Sequence, residues 1–416
     1  MIVIAFPGPA AAVLIRRLPT NVADGQSQLA SFHTARYDLS KLQCRARGQS
    51  DLRRRTALRV GLGMIFQNLG RERSDMEVYR SELDIADMAE PLGFDSIWAT
   101  EHHFTDYMLM PSPIQFLTYM AGRTREIDLG TMVIVVPWHN PLRAAEEVLM
   151  LDHVSGGRQI LSVGRGIAPV EFAAFDIPLP DTRPLFVESA ECMLNAVETG
   201  ICEYNGEFVT QSRTPIRPGP FKSFRDRTYA SGVSPASMPL LAKLGVGMLI
   251  VPQKPWKETQ NDLAAYRDFY VKENGCEAPA PVVVVWTFVD EDADRAEEMA
   301  RKYIGRYYNS TVDHYEFANA ELHQVPGYEY YQRISAKITE IGREGFINYL
   351  VNLQVFGTPE QCLEKIEAIR QKTGMETMVA VLSYGGMSAD EAKRNMRLFS
   401  TSVMPRLQQE KINIAA

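Results

Sequence analysis

The feature that most constrains the fold is a rhythm that starts at Arg59 and runs almost to the end of the chain. Short apolar, β-branched runs recur: RVGLGMIF (59–66), FDSIWAT (94–100), IDLGTMVIVV (127–136), RQILSVGRG (158–166), RTYASG (227–232), GMLIVP (247–252), PVVVVWTFV (281–289) and ETMVAVL (376–382). Helix-like stretches lie between them, such as DMEVYRSELDIADMAEPLG, NPLRAAEEVLMLDHVSGG and TPEQCLEKIEAIRQKTG. The last opens on Thr358-Pro359, a cap followed by proline at the first helical position, and ends on Gly374. Apolar strands that each lead into a helix suit a parallel sheet covered on both faces. Eight such units predict an α/β fold of the (β/α)8, TIM-barrel type. A doubly wound open sheet is the alternative, but it would place a glycine-rich dinucleotide loop after the first strand. That strand runs instead into FQNLGRERSD, with no GxGxxG.

Two connections exceed a minimal barrel. Residues 200–226 are rich in Pro and Gly (RTPIRPGPFKS), and residues 310–355 hold HYEFANAELHQVPGYEYYQ plus a further helical piece. Long loops in a compact domain are usually functional or disordered, and the loops that follow barrel strands build the site. The Tyr-rich insertion is therefore expected to form a lid over the mouth. Ahead of the rhythm, the chain starts on an apolar stretch whose basic residues follow it, which is a poor signal-peptide pattern. An Arg-rich segment without periodicity comes next (CRARGQSDLRRRT). The expected organisation is a loosely ordered extension over 1–56 and one barrel domain over 57–410.

Composition narrows the partners. A net charge of −7 argues against nucleic acid or an anionic membrane as the main partner. No apolar run approaches the roughly 20 residues that span a bilayer. The 5 cysteines are odd in number and form no CxxC pair, which suits a cytoplasmic setting better than a disulfide framework.

In a barrel, the polar residues at the C-terminal ends of strands are the candidates for chemistry. The second strand ends in Glu101-His102-His103, in a chain with 7 histidines. Adjacent strand residues point to opposite faces, so the two imidazoles should not be equivalent. A metal site would need more His or Asp ligands at later strand ends. Those ends read Gly164-Arg165-Gly166, Ala230-Ser231-Gly232 and Val251-Pro252, so no metal is expected. A neutral imidazole that holds or moves a proton fits better, with a structural histidine as the alternative. Arg165, between two glycines, offers a fork for phosphate or else forms a structural ion pair in the barrel. Arg183 falls at the start of one helix, and Ser234 and Ser237 at the start of the next, where free N–H groups favour anions and where serine is also an ordinary cap. Together these residues point to a phosphate-bearing cofactor near the fourth and fifth strands.

The stretches ATEHHFTDYMLMPSP, LGTMVIVVPWHNPLRAAEEVLMLDHVSGGRQILSVGRGI, FGTPEQCLEKI and MRLFSTSVMPRL resemble the bacterial luciferase family of flavin-dependent monooxygenases, above all its catalytic alpha subunit, from about Arg59 to Leu407. The resemblance implies a barrel that binds reduced FMN, with O2 adding at flavin C4a and the resulting peroxyflavin oxidising a small organic substrate. It implies that His102 is the catalytic histidine, that Arg165 and Arg183 bind the flavin phosphate, and that Ser234 and Ser237 supply hydroxyl contacts to it. A non-proline cis peptide would fall at Met132-Val133. A separate flavin reductase is expected to supply reduced FMN, since the chain has no nicotinamide fingerprint. Relatives dimerise through a helical face near strands two and three, so a homodimer is expected.

Four positions depart from the family's pattern: Gly164 replaces a cysteine, Ala168 a tyrosine, Val233 a glutamate and Pro252 a tryptophan. These changes keep a phosphate site but remodel the isoalloxazine and substrate walls. The expected activity is therefore oxidation of a substrate other than a long-chain aldehyde. An F420-dependent oxidoreductase of the same barrel superfamily, or a non-catalytic flavin-binding subunit, are the alternatives.

Overall fold

A computed structural model describes residues 57–319 and 321–409. The extension expected over 1–56 lies outside the described residues. The chain begins with β1 (Arg59–Met64), α1 (Asp75–Asp87), β2 (Ser96–Ala99), α2 (Pro113–Arg123), β3 (Asp128–Thr131), β4 (Ile134–Val135), α3 (Pro141–Val154), β5 (Gln159–Gly164), α4 (Pro169–Ala174) and α5 (Thr182–Thr199). Next come β6 (Ile201–Asn205), β7 (Thr210–Pro215), β8 (Thr228–Ser231), α6 (Met238–Leu244), β9 (Gly247–Ile250), α7 (Trp256–Asn274), β10 (Val282–Val289) and α8 (Ala293–His314). It closes with α9 (Tyr331–Val351), β11 (Val355–Gly357), α10 (Pro359–Thr373), β12 (Thr377–Val381), α11 (Ala389–Ser402) and α12 (Met404–Gln408).

Eight strands close a ring in the order β1, β2, β3, β5, β8, β9, β10, β12 and back to β1, every neighbour parallel. This is the (β/α)8 barrel expected from the sequence, and each of the eight predicted runs supplies a barrel strand. The reason is visible in β10, where all eight positions of VVVVWTFV are buried, so no polar alternation is tolerated. Helix boundaries follow local chemistry. Ser74 and Thr358 each form a capping box, with Glu77 and Gln361 respectively, and Gly374 closes α10 at φ +70°.

Inside the ring, the buried Trp98 ring spreads over the two neighbouring strands. A Cβ on Gly61 would stand 2.6 Å from this ring, and one on Gly130 only 2.4 Å away. Only glycine fits at either position, which makes the two glycines part of the core.

Two expectations are corrected. The run 127–136 is not one strand: the Met132–Val133 peptide is cis, and it separates β3 from the short β4, which pairs with β5 alone. Residues 200–226 are not a loop of the functional kind. They contain the antiparallel β6–β7 hairpin, whose turn is held by Glu188 of α5 accepting the backbone N–H groups of Glu207, Phe208 and Val209. A turn organised by a carboxylate on a preceding helix leaves no local turn signature. This segment follows a helix, so it belongs to the face opposite the mouth.

The 310–355 insertion behaves as expected. It runs from the last turn of α8 through a 3-10 turn at Leu322–Gln324 into α9, and its residues Tyr315, Gly327 and Tyr331 line the cavity at the mouth. Among the described residues, no helix is long and apolar enough to cross a membrane.

Candidate active site

One cavity opens at the C-terminal ends of the barrel strands, and the expected catalytic and cofactor residues His102, Met132, Val133, Arg165, Arg183, Ser234 and Ser237 line it, whereas His103, Ala168 and Pro252 do not. The lining residues arrive from different βα units, so only barrel closure brings them together.

The histidine pair is resolved by its partners. β2 ends at Ala99, so strand alternation is not what separates His102 from His103, contrary to expectation. Glu101 is buried and accepts the Val135 N–H at 2.7 Å through Oε2, while Oε1 lies 2.6 Å from His139 Nε2 and 3.2 Å from His103 Nε2. Burial alone would raise the Glu101 pKa, but the bonds from His103, His139 and Val135 hold it below the usual carboxylate range. Burial disfavours a charge on His139, and the Glu101 carboxylate outweighs it, raising the His139 pKa. Glu101 and His103 thus brace the strand end.

His102 faces the cavity. Its Nδ1 lies 3.1 Å from Glu171 Oε1, which also accepts the His103 backbone N–H at 2.7 Å, and its Nε2 lies 3.2 Å from the Tyr315 hydroxyl. Glu171 is fully buried; desolvation pushes its pKa up, yet His102 and His314 overcome this and hold it at about 2. An ionised carboxylate only accepts hydrogen bonds. It therefore selects the N–H form of His102 at Nδ1 and leaves Nε2 with its lone pair toward the Tyr315 O–H, the arrangement a proton-accepting imidazole needs.

Sequence reasoning missed Glu171, His314 and Tyr315. Glu171 reads as an ordinary first-turn acid of α4, and His314 as a cation in the last turn of α8, both common complements of a helix dipole. Neither lies at a strand end, where the sequence points to candidates; both come from helices. With His102 they bring three potential ligand atoms within 4.8 Å of one another.

The arginines line the same cavity. Arg165 follows β5, and Arg183 is the second residue of α5. Arg165 Nη1 and Arg183 Nη2 both donate to the carbonyl oxygen of Gly327, at 2.9 and 3.2 Å, and the Arg165 guanidinium lies 4.8 Å from the Tyr328 ring centre. Among the described residues no carboxylate lies at ion-pair distance from either arginine, and the nearby Glu329 carboxylate is held below its usual range by the Gly327 N–H and in part by both charges. Burial, with the neighbouring Arg165 charge, lowers the Arg183 pKa. Two partly buried guanidiniums sharing one neutral carbonyl form an electropositive seat suited to a planar or tetrahedral oxyanion. Ser234 and Ser237 flank a 3-10 turn ahead of the seven-residue α6, with their hydroxyls 2.9 Å apart. At Gly164, a Cβ would meet Val133 Cγ2 at 2.4 Å, so a side chain there would clash with Val133.

An aromatic wall joins the far side of the cavity to His102. Trp286 stacks on Tyr307 at 4.3 Å, the Tyr307 hydroxyl lies 2.8 Å from that of Tyr107, and the Tyr107 ring stands edge-on to His102 at 4.9 Å.

Residues 59–377 match the family model described as luciferase-like monooxygenase. The chain belongs to that family. Among curated luciferase-like relatives, the alkanal monooxygenase alpha chain of Photorhabdus luminescens is 26% identical over 349 residues, covering 81% of this chain and 94% of the relative. Among solved structures, the monooxygenase RslO1 from Streptomyces bottropensis is 25% identical with a TM-score of 0.70, covering 84% of this chain and 99% of its own. Two further structures share the fold. The oxygenating constituent of 3,6-diketocamphane monooxygenase from Pseudomonas putida, in complex with FMN, is 18% identical with a TM-score of 0.65, over 84% of this chain and 99% of that one. An F420-dependent secondary alcohol dehydrogenase is 16% identical with a TM-score of 0.63, over 85% of this chain and all of that one (100%).

Proposed function

We propose that this luciferase-like protein is a flavin-dependent monooxygenase that takes reduced FMN from a separate reductase and uses O2 to oxidise a small organic substrate. The observation that carries the reading is one cavity that holds both a pair of guanidiniums and a carboxylate-fixed imidazole. Arg165 and Arg183, with no carboxylate at ion-pair distance among the described residues, line the same cavity as Ser234, Ser237 and His102, which Glu171 fixes. The seat fits a flavin phosphate: one N–H group of each arginine is held by a neutral carbonyl instead of a carboxylate.

Reduced flavin, once bound, supplies the two electrons that activate O2. The chain's own residues do the rest. Arg165 and Arg183 hold the phosphate dianion through charge-assisted hydrogen bonds, with Ser234 and Ser237 as further hydroxyl contacts. Met132 and Val133 form part of the wall beside Gly164. His102 accepts or returns a proton at Nε2, because Glu171 keeps the ring's other proton on Nδ1. Tyr315 donates to that nitrogen while it is bare, and Tyr331 and Phe317 add aromatic surface to the cavity wall.

The names of the relatives, alkanal and diketocamphane monooxygenases, support the oxygenase reading, and the bound FMN of the Pseudomonas putida protein supports the cofactor. An F420-dependent reaction is the second reading, favoured by the fold shared with the alcohol dehydrogenase. The Glu-His-His and Gly-Arg-Gly contexts favour FMN. In the same account the protein works in the cytoplasm as a homodimer, whose contact face is α2 and α3, where Tyr119, Met150 and Val154 are exposed.

The test is substrate-dependent O2 uptake. Protein loaded anaerobically with photoreduced FMN is mixed with O2 and candidate ketones, aldehydes and aromatic compounds. Uptake and product formation in the presence of one of them, reduced ~100-fold or more by His102→Ala with FMN binding retained, is the expected result. FMN binding with no substrate-dependent uptake, or full activity of His102→Ala, contradicts the reading.

A further inference from the structure

The turn that carries Ser234 and Ser237 is held by a lysine from the next βα unit. Lys254 lies between β9 and α7, and its side chain is 13% exposed. Its Nζ donates to the Val233 carbonyl at 2.7 Å and to the Asp262 carboxylate of α7. The ammonium also lies 5.6 Å from the centre of the Tyr330 ring, within cation–π range of the lid. The segment after β8, the segment after β9, α7 and the lid thus meet at one cation.

Lys254 does not line the mouth cavity. Gly232, Val233 and Gln253 line both that cavity and a smaller hollow, and Lys254 and Asp262 line the smaller one alone. Any effect of Lys254 on a ligand in the cavity therefore passes through the residues between.

The bond to Val233 is what distinguishes this lysine from a plain ion pair. Val233 precedes Ser234, and the peptide between them is trans. In a trans peptide the C=O and N–H point to opposite sides. With the Val233 oxygen drawn to Lys254, the Ser234 N–H is turned away from the ammonium. Ser234 is buried, and among the described residues its N–H donates to no protein group. A buried N–H without an acceptor is rare and costly. An oxyanion beside the Ser234 and Ser237 hydroxyls, which are 2.9 Å apart, would satisfy it.

We propose that Lys254 is a positioning residue of the anion seat. It fixes the Val233–Ser234 peptide so that the Ser234 N–H and the two serine hydroxyls are presented together to a phosphate. Through Tyr330 it also joins this turn to the lid, as Gly327 joins the two arginines to it. Asp262 holds the ammonium in place and cancels its charge, so Lys254 acts by orientation and adds no third net charge to the arginines. This role rests on the flavin-phosphate reading above.

The test compares reduced FMN with reduced riboflavin in anaerobic titrations of wild type, of the Lys254→Met, Asp262→Asn double variant and of Lys254→Arg. The double variant removes the whole ion pair and leaves no unpaired carboxylate behind. Its preference for FMN over riboflavin is expected to fall about tenfold, with riboflavin affinity within about twofold of wild type. Lys254→Arg, which keeps the charge and a donor, should retain most of the preference. The phosphorus-31 NMR signal of bound FMN is expected to move in the double variant, which a purely structural contact would not cause. An unchanged preference in the double variant, or FMN and riboflavin weakened alike, overturns the proposal. A wild type that binds the two flavins equally overturns the phosphate reading and this role with it, so the two failures are told apart. Should the double variant not fold, wild type labelled with 13C at lysine Cε decides. Its Lys254 signal, assigned through Lys254→Arg, should move when FMN replaces riboflavin, and a signal that stays still is contradictory.

Discussion

Arg165, just after β5, and Arg183, at the start of α5, donate to the same oxygen, the backbone carbonyl of Gly327 in the lid, at 2.9 and 3.2 Å. Lid and anion seat are thereby one structure. Gly327 has φ +90°, and a Cβ there would stand 2.9 Å from Arg165 Nη1 and 3.4 Å from Arg183 Nε. Gly327→Ala should therefore strain the turn and displace the guanidinium fork. The expected outcome is FMN affinity weakened about tenfold, roughly 1.4 kcal/mol, in a fluorescence titration, with the thermal midpoint nearly unchanged.

Glu82 of α1 is 4% exposed, its Oε1 accepts the Ser383 hydroxyl at 2.6 Å, and its Oε2 has no partner. Burial is the main cause that pushes its pKa up to about 7, opposed by Ser383 and Arg73. The folded value lies above the unfolded one, so between about pH 4.5 and 7 the native state holds a proton that the unfolded chain has lost, and stability falls as pH rises. Glu82→Gln abolishes that titration. Its Tm relative to wild type should rise from pH 5 to pH 8, by an amount on the order of 2 kcal/mol of stability. A pH-independent difference would count against a buried, protonated Glu82.

In the barrel interior, Gly130→Ala places a methyl group 2.4 Å from the Trp98 ring. Overpacking of this kind costs about 1–3 kcal/mol or more. Chemical denaturation should show at least 2 kcal/mol of destabilisation, on the order of that range, and Trp98→Phe in the same chain should recover part of it. An additive effect of the two substitutions would refute the direct clash.

Much of this molecule was legible in its sequence, for identifiable reasons. Barrel strands buried on both faces must be written as unbroken apolar runs, so PVVVVWTFV and ETMVAVL announce themselves. Arg165, Arg183, Ser234 and Ser237 stood out because cations and hydroxyls at strand and helix ends are locally conspicuous. Glu171 and His314 were not legible, since each is ordinary on its own helix and acquires meaning only across the closed barrel. The β6–β7 hairpin escaped for a similar reason: Glu188, outside the hairpin, organises its turn.

The central claim is that the Arg165–Arg183 seat binds the phosphate of FMN. Anaerobic equilibrium titration with reduced FMN, reduced riboflavin and reduced F420 tests it most directly. Two charge-assisted anchors predict that FMN binds at least ~30-fold more tightly than riboflavin, that Arg165→Ala and Arg183→Ala each remove most of that difference, and that F420 binds more weakly than FMN. Equal affinity for FMN and riboflavin, an advantage that survives both substitutions, or a preference for F420 would contradict the account.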